Sequence, residues 1–212
     1  MKVGILWDLD GTLLDTLEDL MDGVNYALNQ FGLPSRTMEE IRQFVGNGAG
    51  QLIHRAVDGR ADEKAVLDVF RTYYNAHCQV KTRPYGGVEE ALAQLGEKYP
   101  MAIVSNKPDS AVKTLCAQYF PGMYALGERA DCPRKPAPDM VFKAMADLGV
   151  ETCIYVGDSE VDVATAKNAG VPCLSVLWGF RNKEALEQAG GTCFCEETSQ
   201  LVEKLEDLIH GK

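Results

Sequence analysis

Ile5-Leu6-Trp7-Asp8-Leu9-Asp10-Gly11-Thr12-Leu13 decides how the rest of this chain is read. The apolar run Val3–Trp7 has the length and composition of a buried strand, and it breaks into two carboxylates one residue apart, followed by Gly-Thr. Side chains two apart in a strand leave the same side, so Asp8 and Asp10 can converge on one ligand where the chain turns at Gly11. Taken alone, Asp-x-Asp-Gly is equally a strand terminator, and the remaining sequence has to choose.

The 212 residues are 46% hydrophobic and 25% charged, a globular composition with room for one sizeable domain or a domain carrying an insertion. Twenty-one basic against 31 acidic residues give a formal charge of −10, which argues against nucleic acid or an anionic membrane as partner and agrees with a cation site. No run approaches the ~18 apolar residues of a membrane span, and no signal-peptide pattern precedes the first strand, so a cytoplasmic location is expected. Seven cysteines without a C-x-x-C pair and three scattered histidines form neither a disulfide framework nor a zinc site. Cys193-x-Cys195 reads as part of a short strand rather than a ligand pair.

Outward from the first strand, Leu17, Leu20, Met21, Val24, Ala27, Leu28 and Phe31 recur at helical spacing until Gly32-Leu33-Pro34 stops them. Residues 38–45, 49–58 and 62–80 read as further helices, broken at Gly46-Asn47-Gly48 and at Asp58-Gly59-Arg60. A βαβ crossover needs only ~30 residues, yet the next strand pattern begins at Met101, so 16–82 is expected to be an inserted helical unit. From Tyr85 on, helices (87–97, 109–119, 138–148, 160–168, 199–209) alternate with strands (101–104, 123–126, 152–156, 172–177). That alternation predicts an α/β, Rossmann-like doubly wound parallel sheet, formed by 1–15 and 83–212, with the α-helical unit 16–82 inserted in it.

Ligands of open parallel sheets bind beyond the carboxyl ends of the strands. There the sequence places Asp8 and Asp10, then Ser105, Asn106 and Lys107, then Asp158 and, four residues on, Asp162 on the same face of a helix start. Four gathered carboxylates repel one another, at about 4 kcal/mol for a pair ~4 Å apart in an effective dielectric near 20. A divalent cation relieves this, and an all-oxygen set suits Mg²⁺. Lys135, between Arg134 and Pro136-Ala137-Pro138, is a candidate to neutralise an anionic substrate.

Together these residues resemble the haloacid dehalogenase superfamily, in its branch of Mg²⁺-dependent phosphatases. Its four signatures stand here in chain order: D-x-D-G-T at Asp8 to Thr12, a strand-terminal Ser105, Lys135 of K-P-x-P, and G-D-S-x-x-D at Gly157 to Asp162. The resemblance implies that Asp8 is the nucleophile, Asp10 the general acid and base, Ser105 a hydrogen-bond donor to the phosphoryl group and Lys135 its counter-charge. It also implies Mg²⁺ on the Asp8 side chain, the Asp10 carbonyl and Asp158, with Asp162 in support or bound through water.

The string Gly48-Ala-Gly-Gln-Leu-Ile-His-Arg-Ala56 with Gly46 and Asn47 before it, Ser105-Asn106-Lys107-Pro108 and Val176-Leu-Trp-Gly-Phe180 resemble phosphoglycolate phosphatases. Gly86, where those relatives carry proline, departs from them. The implied substrate is a small phosphorylated metabolite, 2-phosphoglycolate first, with Thr12, Gly46, Asn47, Gly48 and Asn106 as binding residues. The alternatives are a phosphosugar mutase of the β-phosphoglucomutase type, whose cap string is missing, and a non-enzymatic phospho-ligand binding or signalling domain, against which an intact Asp10 weighs.

Overall fold

Strand β1 (Val3–Trp7) is central in its sheet, which explains why it is apolar throughout rather than alternating. Ile5 and Trp7 enter the core on one face and Leu6 the core on the other, all fully buried. These relations come from a computed structural model that describes residues 2–211. After β1 come a two-residue strand β2 (Leu14–Asp15), four helices, α1 (Leu17–Gln30), α2 (Met38–Phe44), α3 (Gly48–Val57) and α4 (Glu63–His77), and a second two-residue strand β3 (Arg83–Pro84). Helix and strand then alternate through α5 (Val88–Gly96), β4 (Met101–Pro108), α6 (Asp109–Tyr119), β5 (Tyr124–Glu128) and α7 (Asp139–Leu148). The chain ends with β6 (Thr152–Gly157), α8 (Glu160–Ala169), β7 (Cys173–Val176), α9 (Lys183–Gln188), β8 (Cys193–Cys195) and α10 (Leu201–His210).

The sheet runs β5-β4-β1-β6-β7-β8 with every neighbouring pair parallel. The chain moves outward from β1 through β4 to β5, then returns to β6 on the other side of β1. The winding direction therefore reverses at the carboxyl end of β1, where open α/β sheets bind ligands. This is the doubly wound α/β architecture expected from the sequence.

The four helices between β2 and β3 follow the spacing of their apolar residues, and Leu20, Val24, Leu52, Ile53, Val66 and Phe70 join the core that holds Ile5 and Trp7. Their ends are set locally. Thr37 and Glu40 form a reciprocal capping box on α2, Asp62 caps α4, and α3 stops at Asp58 in the left-handed conformation, φ 55°. Among the described residues no helix is long and apolar enough to cross a membrane.

Three features lie outside the sequence reading. The antiparallel pair β2–β3 joins the two ends of the helical insertion, Leu14 opposite Pro84, and two residues per strand are too few to show a period. The buried Asp19 carboxylate on α1 reinforces this neck by accepting from the Lys81 N–H at 3.0 Å and the Thr82 N–H at 2.9 Å. Helix α9 buries Leu186 alone among its described residues, leaving no apolar stripe to detect. Strand β4 also continues past its apolar run to Pro108, carrying Ser105, Asn106 and Lys107 over the sheet edge.

Candidate active site

At the carboxyl end of β1, the buried Asp8 carboxylate meets the ammonium of Lys135, Oδ1 to Nζ 2.9 Å. The same ammonium reaches Asp162 Oδ1 at 2.8 Å and the Tyr155 hydroxyl at 2.9 Å. Asp162 is fully buried, and its Oδ2 accepts from the Ser159 N–H at 3.1 Å and the Ser159 hydroxyl at 2.6 Å, as the third residue of the α8 capping box. Asp158, at the end of β6, accepts from the Phe180 N–H at 2.7 Å and from the Thr12 hydroxyl at 3.3 Å.

Carboxylate oxygens of Asp8, Asp158 and Asp162 lie within 4.8 Å of one another. One buried ammonium faces three buried acids, and the electrostatics follow from that imbalance. Burial pushes the Asp8 carboxyl up to about 7, the Asp162 charge adding to the shift and Lys135 opposing it. Burial also holds Asp158 well above the usual carboxylate range, with Asp162 and Asp8 adding. For Lys135 burial acts the other way, towards a neutral amine, and Asp162 and Asp8 outweigh it to hold the ammonium charged.

Close backbone approach builds this cluster. Gly11 has φ +83°, and a Cβ there would stand 2.3 Å from Asp158 Oδ2. A Cβ on Gly179 would stand 2.3 Å from the Asp158 Cβ. Both glycines therefore admit the Asp158 carboxylate to the turn after β1.

Asp10, two residues on in the chain, has different company. Its Oδ1 accepts from Thr16 Oγ1 and from Lys107 Nζ, both at 2.6 Å. Lys107 is buried, and its ammonium lies 4.7 Å from the ring centroid of Tyr74 on α4. Burial would lower this lysine's pKa; Asp10 and Tyr74 together outweigh burial and raise it.

The expected site residues are distributed as follows. Asp8, Asp10, Ser105, Asn106, Lys135, Asp158, Gly46 and Gly48 all line one cleft between the sheet end and the inserted helices. Thr12 does not line it: the side chain is buried and its hydroxyl donates to Asp158. Asn47 precedes α3 and lies outside the cleft lining as well. The Asn106 side chain is engaged on both atoms: Nδ2 donates to the carbonyls of Gly46 at 3.1 Å and Lys135 at 3.0 Å, and Oδ1 accepts from the Lys135 N–H at 2.8 Å. It thus ties the insertion's glycine loop to the loop that presents Lys135.

Lys107 and Arg181 line the cleft and had no role in the sequence reading. Lys107 carried a signal, standing two residues beyond Ser105 on one strand and so on the same side. Arg181 carried none. It follows the loop after β7, pairs with Glu160 at 2.8 Å, and donates to the carbonyls of Arg42 at 2.7 Å and Val45 at 2.8 Å at the end of α2. The cleft encloses about 50 Å³. At roughly 10–15 Å³ per water-sized sphere, that is space for a few heavy atoms beside the carboxylates.

The description of the haloacid dehalogenase-like hydrolases matches residues 5–176, and the chain belongs to that family. Among curated relatives, a phosphoglycolate phosphatase of Pseudomonas fluorescens strain Pf0-1 is 32% identical over 93% of this chain and 78% of its own length. One from Photorhabdus laumondii is 30% identical over 93% of this chain and 90% of its own. A crystal structure from Lactobacillus delbrueckii subsp. bulgaricus, provisionally described as a phosphoglycolate phosphatase, superposes with a TM-score of 0.88 at 36% identity, covering 95% of this chain and 97% of that one. The chain is a phosphatase of the haloacid dehalogenase type, similar to phosphoglycolate phosphatases.

Proposed function

We propose that the chain hydrolyses a small phosphomonoester, 2-phosphoglycolate first, with Mg²⁺ and through a phosphorylated Asp8. The observation that carries this reading is the Asp8–Lys135–Asp162 ion cluster beside Asp158, which presents a nucleophilic carboxylate in an oxygen-only, under-neutralised pocket. The Asp8 oxygen attacks phosphorus and forms a P–O bond as the substrate's P–O bond breaks, and the leaving alkoxide takes a proton from Asp10. Water then bonds to the phosphorus of the aspartyl phosphate, its proton passes to Asp10, and the bond to Asp8 breaks to release inorganic phosphate. Lys135 balances the charge that develops on the phosphoryl oxygens, and the Ser105 hydroxyl donates to one of them.

The donor set fits Mg²⁺, which when bound supplies Lewis-acid stabilisation of the phosphoryl oxygens and keeps Asp8 ionised. Asp8, the Asp10 carbonyl and Asp158 would hold it. Asp162, with both oxygens engaged by Lys135, Tyr155 and Ser159, supports the set by fixing Lys135. The domain reading belongs to the same proposal: 1–15 with 83–212 forms the catalytic core, and 16–82 a cap whose Gly46–Gly48 turn closes on the substrate. The small cleft favours a short substrate such as phosphoglycolate over a nucleotide.

The test is phosphate release by the purified protein from a panel of phosphoglycolate, hexose phosphates, nucleotides and pyrophosphate, with Mg²⁺ or with EDTA. Turnover of phosphoglycolate above the others, abolished by EDTA and restored by Mg²⁺, is expected. Turnover indifferent to EDTA would reject the metal, and a preference for a sugar phosphate would reject the substrate.

A further inference from the structure

Asp10 and Lys107 form an ion pair outside the Asp8–Lys135 cluster, and its geometry singles out one atom of the acid/base. Lys107 is 3% exposed in its side chain, and a buried ammonium without a partner is costly. Its partner is Asp10 Oδ1 at 2.6 Å, the oxygen that also takes the Thr16 hydroxyl at 2.6 Å. Oδ2 has no hydrogen-bond donor among the described residues. Two donors on one oxygen fix a terminal torsion that is otherwise broad, and leave the other oxygen without a donor on a residue that lines the cleft. Lys135 takes no part in this, since its ammonium contacts Asp8, Asp162 and Tyr155. The seat of Lys107 is supplied partly by the insertion: the Tyr74 ring covers the ammonium at 4.7 Å and stacks on Phe70 with centroids 5.2 Å apart.

We propose that Lys107 is the positioning residue for Asp10, fixing its carboxylate through Oδ1 so that Oδ2 alone exchanges protons, and that helix α4 seats Lys107 through Tyr74. The inference rests on the phosphatase reading above. Oδ2–H gives its proton to the leaving alkoxide in the first step, and Oδ2 takes a proton from the attacking water in the second. Acid/base competence thereby depends on α4 being packed on the sheet end, since the ring over Lys107 comes from that helix.

Leaving-group dependence tests this, because nitrophenolate departs without a proton and glycolate does not. Single-turnover phosphorylation with Mg²⁺ is compared for 2-phosphoglycolate and p-nitrophenyl phosphate, per active site from the burst amplitude. Lys107→Met is expected to slow phosphorylation by phosphoglycolate about 100-fold and by p-nitrophenyl phosphate less than about 5-fold, with KM within about threefold of wild type. Lys107→Arg should recover about tenfold of the loss. Combined with Asp10→Asn, Lys107→Met should cost less than about threefold more, since the two act as a unit. Thr16→Val, which removes the other donor on Oδ1, should show the same substrate contrast at about tenfold, and stands in for Lys107→Met if that variant does not fold. Equal losses on both substrates, or losses that multiply with Asp10→Asn, would overturn the assignment. A wild type that is phosphorylated by neither substrate would instead remove the phosphatase reading on which the inference stands.

Discussion

The two sides of the cleft hold their carboxylates by different means. Asp8 sits among groups supplied by the sheet end alone: Lys135 from the loop before α7, and Asp158 and Asp162 from the β6–α8 junction. Asp10 is held by Lys107 at the end of β4, Thr16 at the neck of the insertion, and the Tyr74 ring on α4 beyond it. Both sides rest on a buried lysine. Lys135 serves two buried acids and is surrounded by a surplus of negative charge, whereas Lys107 serves one acid whose side chain is 14% exposed. The Asp8 side is therefore strained electrostatically and fixed geometrically, and the Asp10 side sets one lysine against one acid and depends on the inserted helices.

Substitutions on the two sides should separate along that line. Asp8→Asn removes the proposed nucleophile, and turnover measured by phosphate release should fall by about 10⁴-fold or more. The same variant carries a pH signature in the metal-free protein. Asp8 titrates near 3.9 when unfolded and is pushed up to about 7 when folded, so the folded state binds the extra proton between those values. The wild type loses that contribution as pH rises from about 4 through 7. In EDTA, Asp8→Asn should melt at the wild-type temperature near pH 4 and above it at pH 8; a gap that does not widen with pH would break the electrostatic half of the comparison.

Lys135→Met leaves buried acids without a counter-charge and should cost about 3–5 kcal/mol in denaturant unfolding. Lys107→Met should cost less than Lys135→Met in the same measurement, since Asp10 retains Thr16 and some access to water. An inverted order would mean that the Asp10 side, not the Asp8 side, carries the stability of the cleft. Arg181→Ala frees the carbonyls of Arg42 and Val45 and loosens the seam between α2 and the sheet. It should raise KM about tenfold with kcat reduced less than about threefold, because Arg181 holds the chain at Val45 next to the cleft-lining Gly46 and contacts neither Asp8 nor Asp10. Thr37→Ala breaks only the capping box of α2 and should cost about 1 kcal/mol in thermal unfolding.

Much of the Asp8 side was legible because each of its parts is a local pattern placed at a strand end. An apolar run ending in Asp-x-Asp-Gly, a strand ending in Ser105, prolines around Lys135 and an Asp pair four apart on α8 each have a recognisable spacing. Once the sheet is parallel, strand ends meet on one edge by geometry. Thr12 shows the limit of that reasoning: it lies inside the strongest motif, yet its hydroxyl supports Asp158. Asn106 was expected beside a substrate; it lines the cleft, and its side chain joins the Gly46 and Lys135 loops. In both cases residue type and position were visible, and the direction of the side chain was not.

The sequence by itself determined the alternation of strands and helices, the helical insertion pattern, the acidic strand ends and the family to which they belong. Those features repeat at short range, through side-chain period, helix caps and glycine turns, and need no partner to be seen. Only the tertiary structure decided which carboxylate each lysine serves, that Tyr74 covers Lys107, and that Arg181 clasps the end of α2. Those pairings join residues far apart in the chain, and burial selects them: a charge removed from water must find its partner among whatever the packed elements bring within reach.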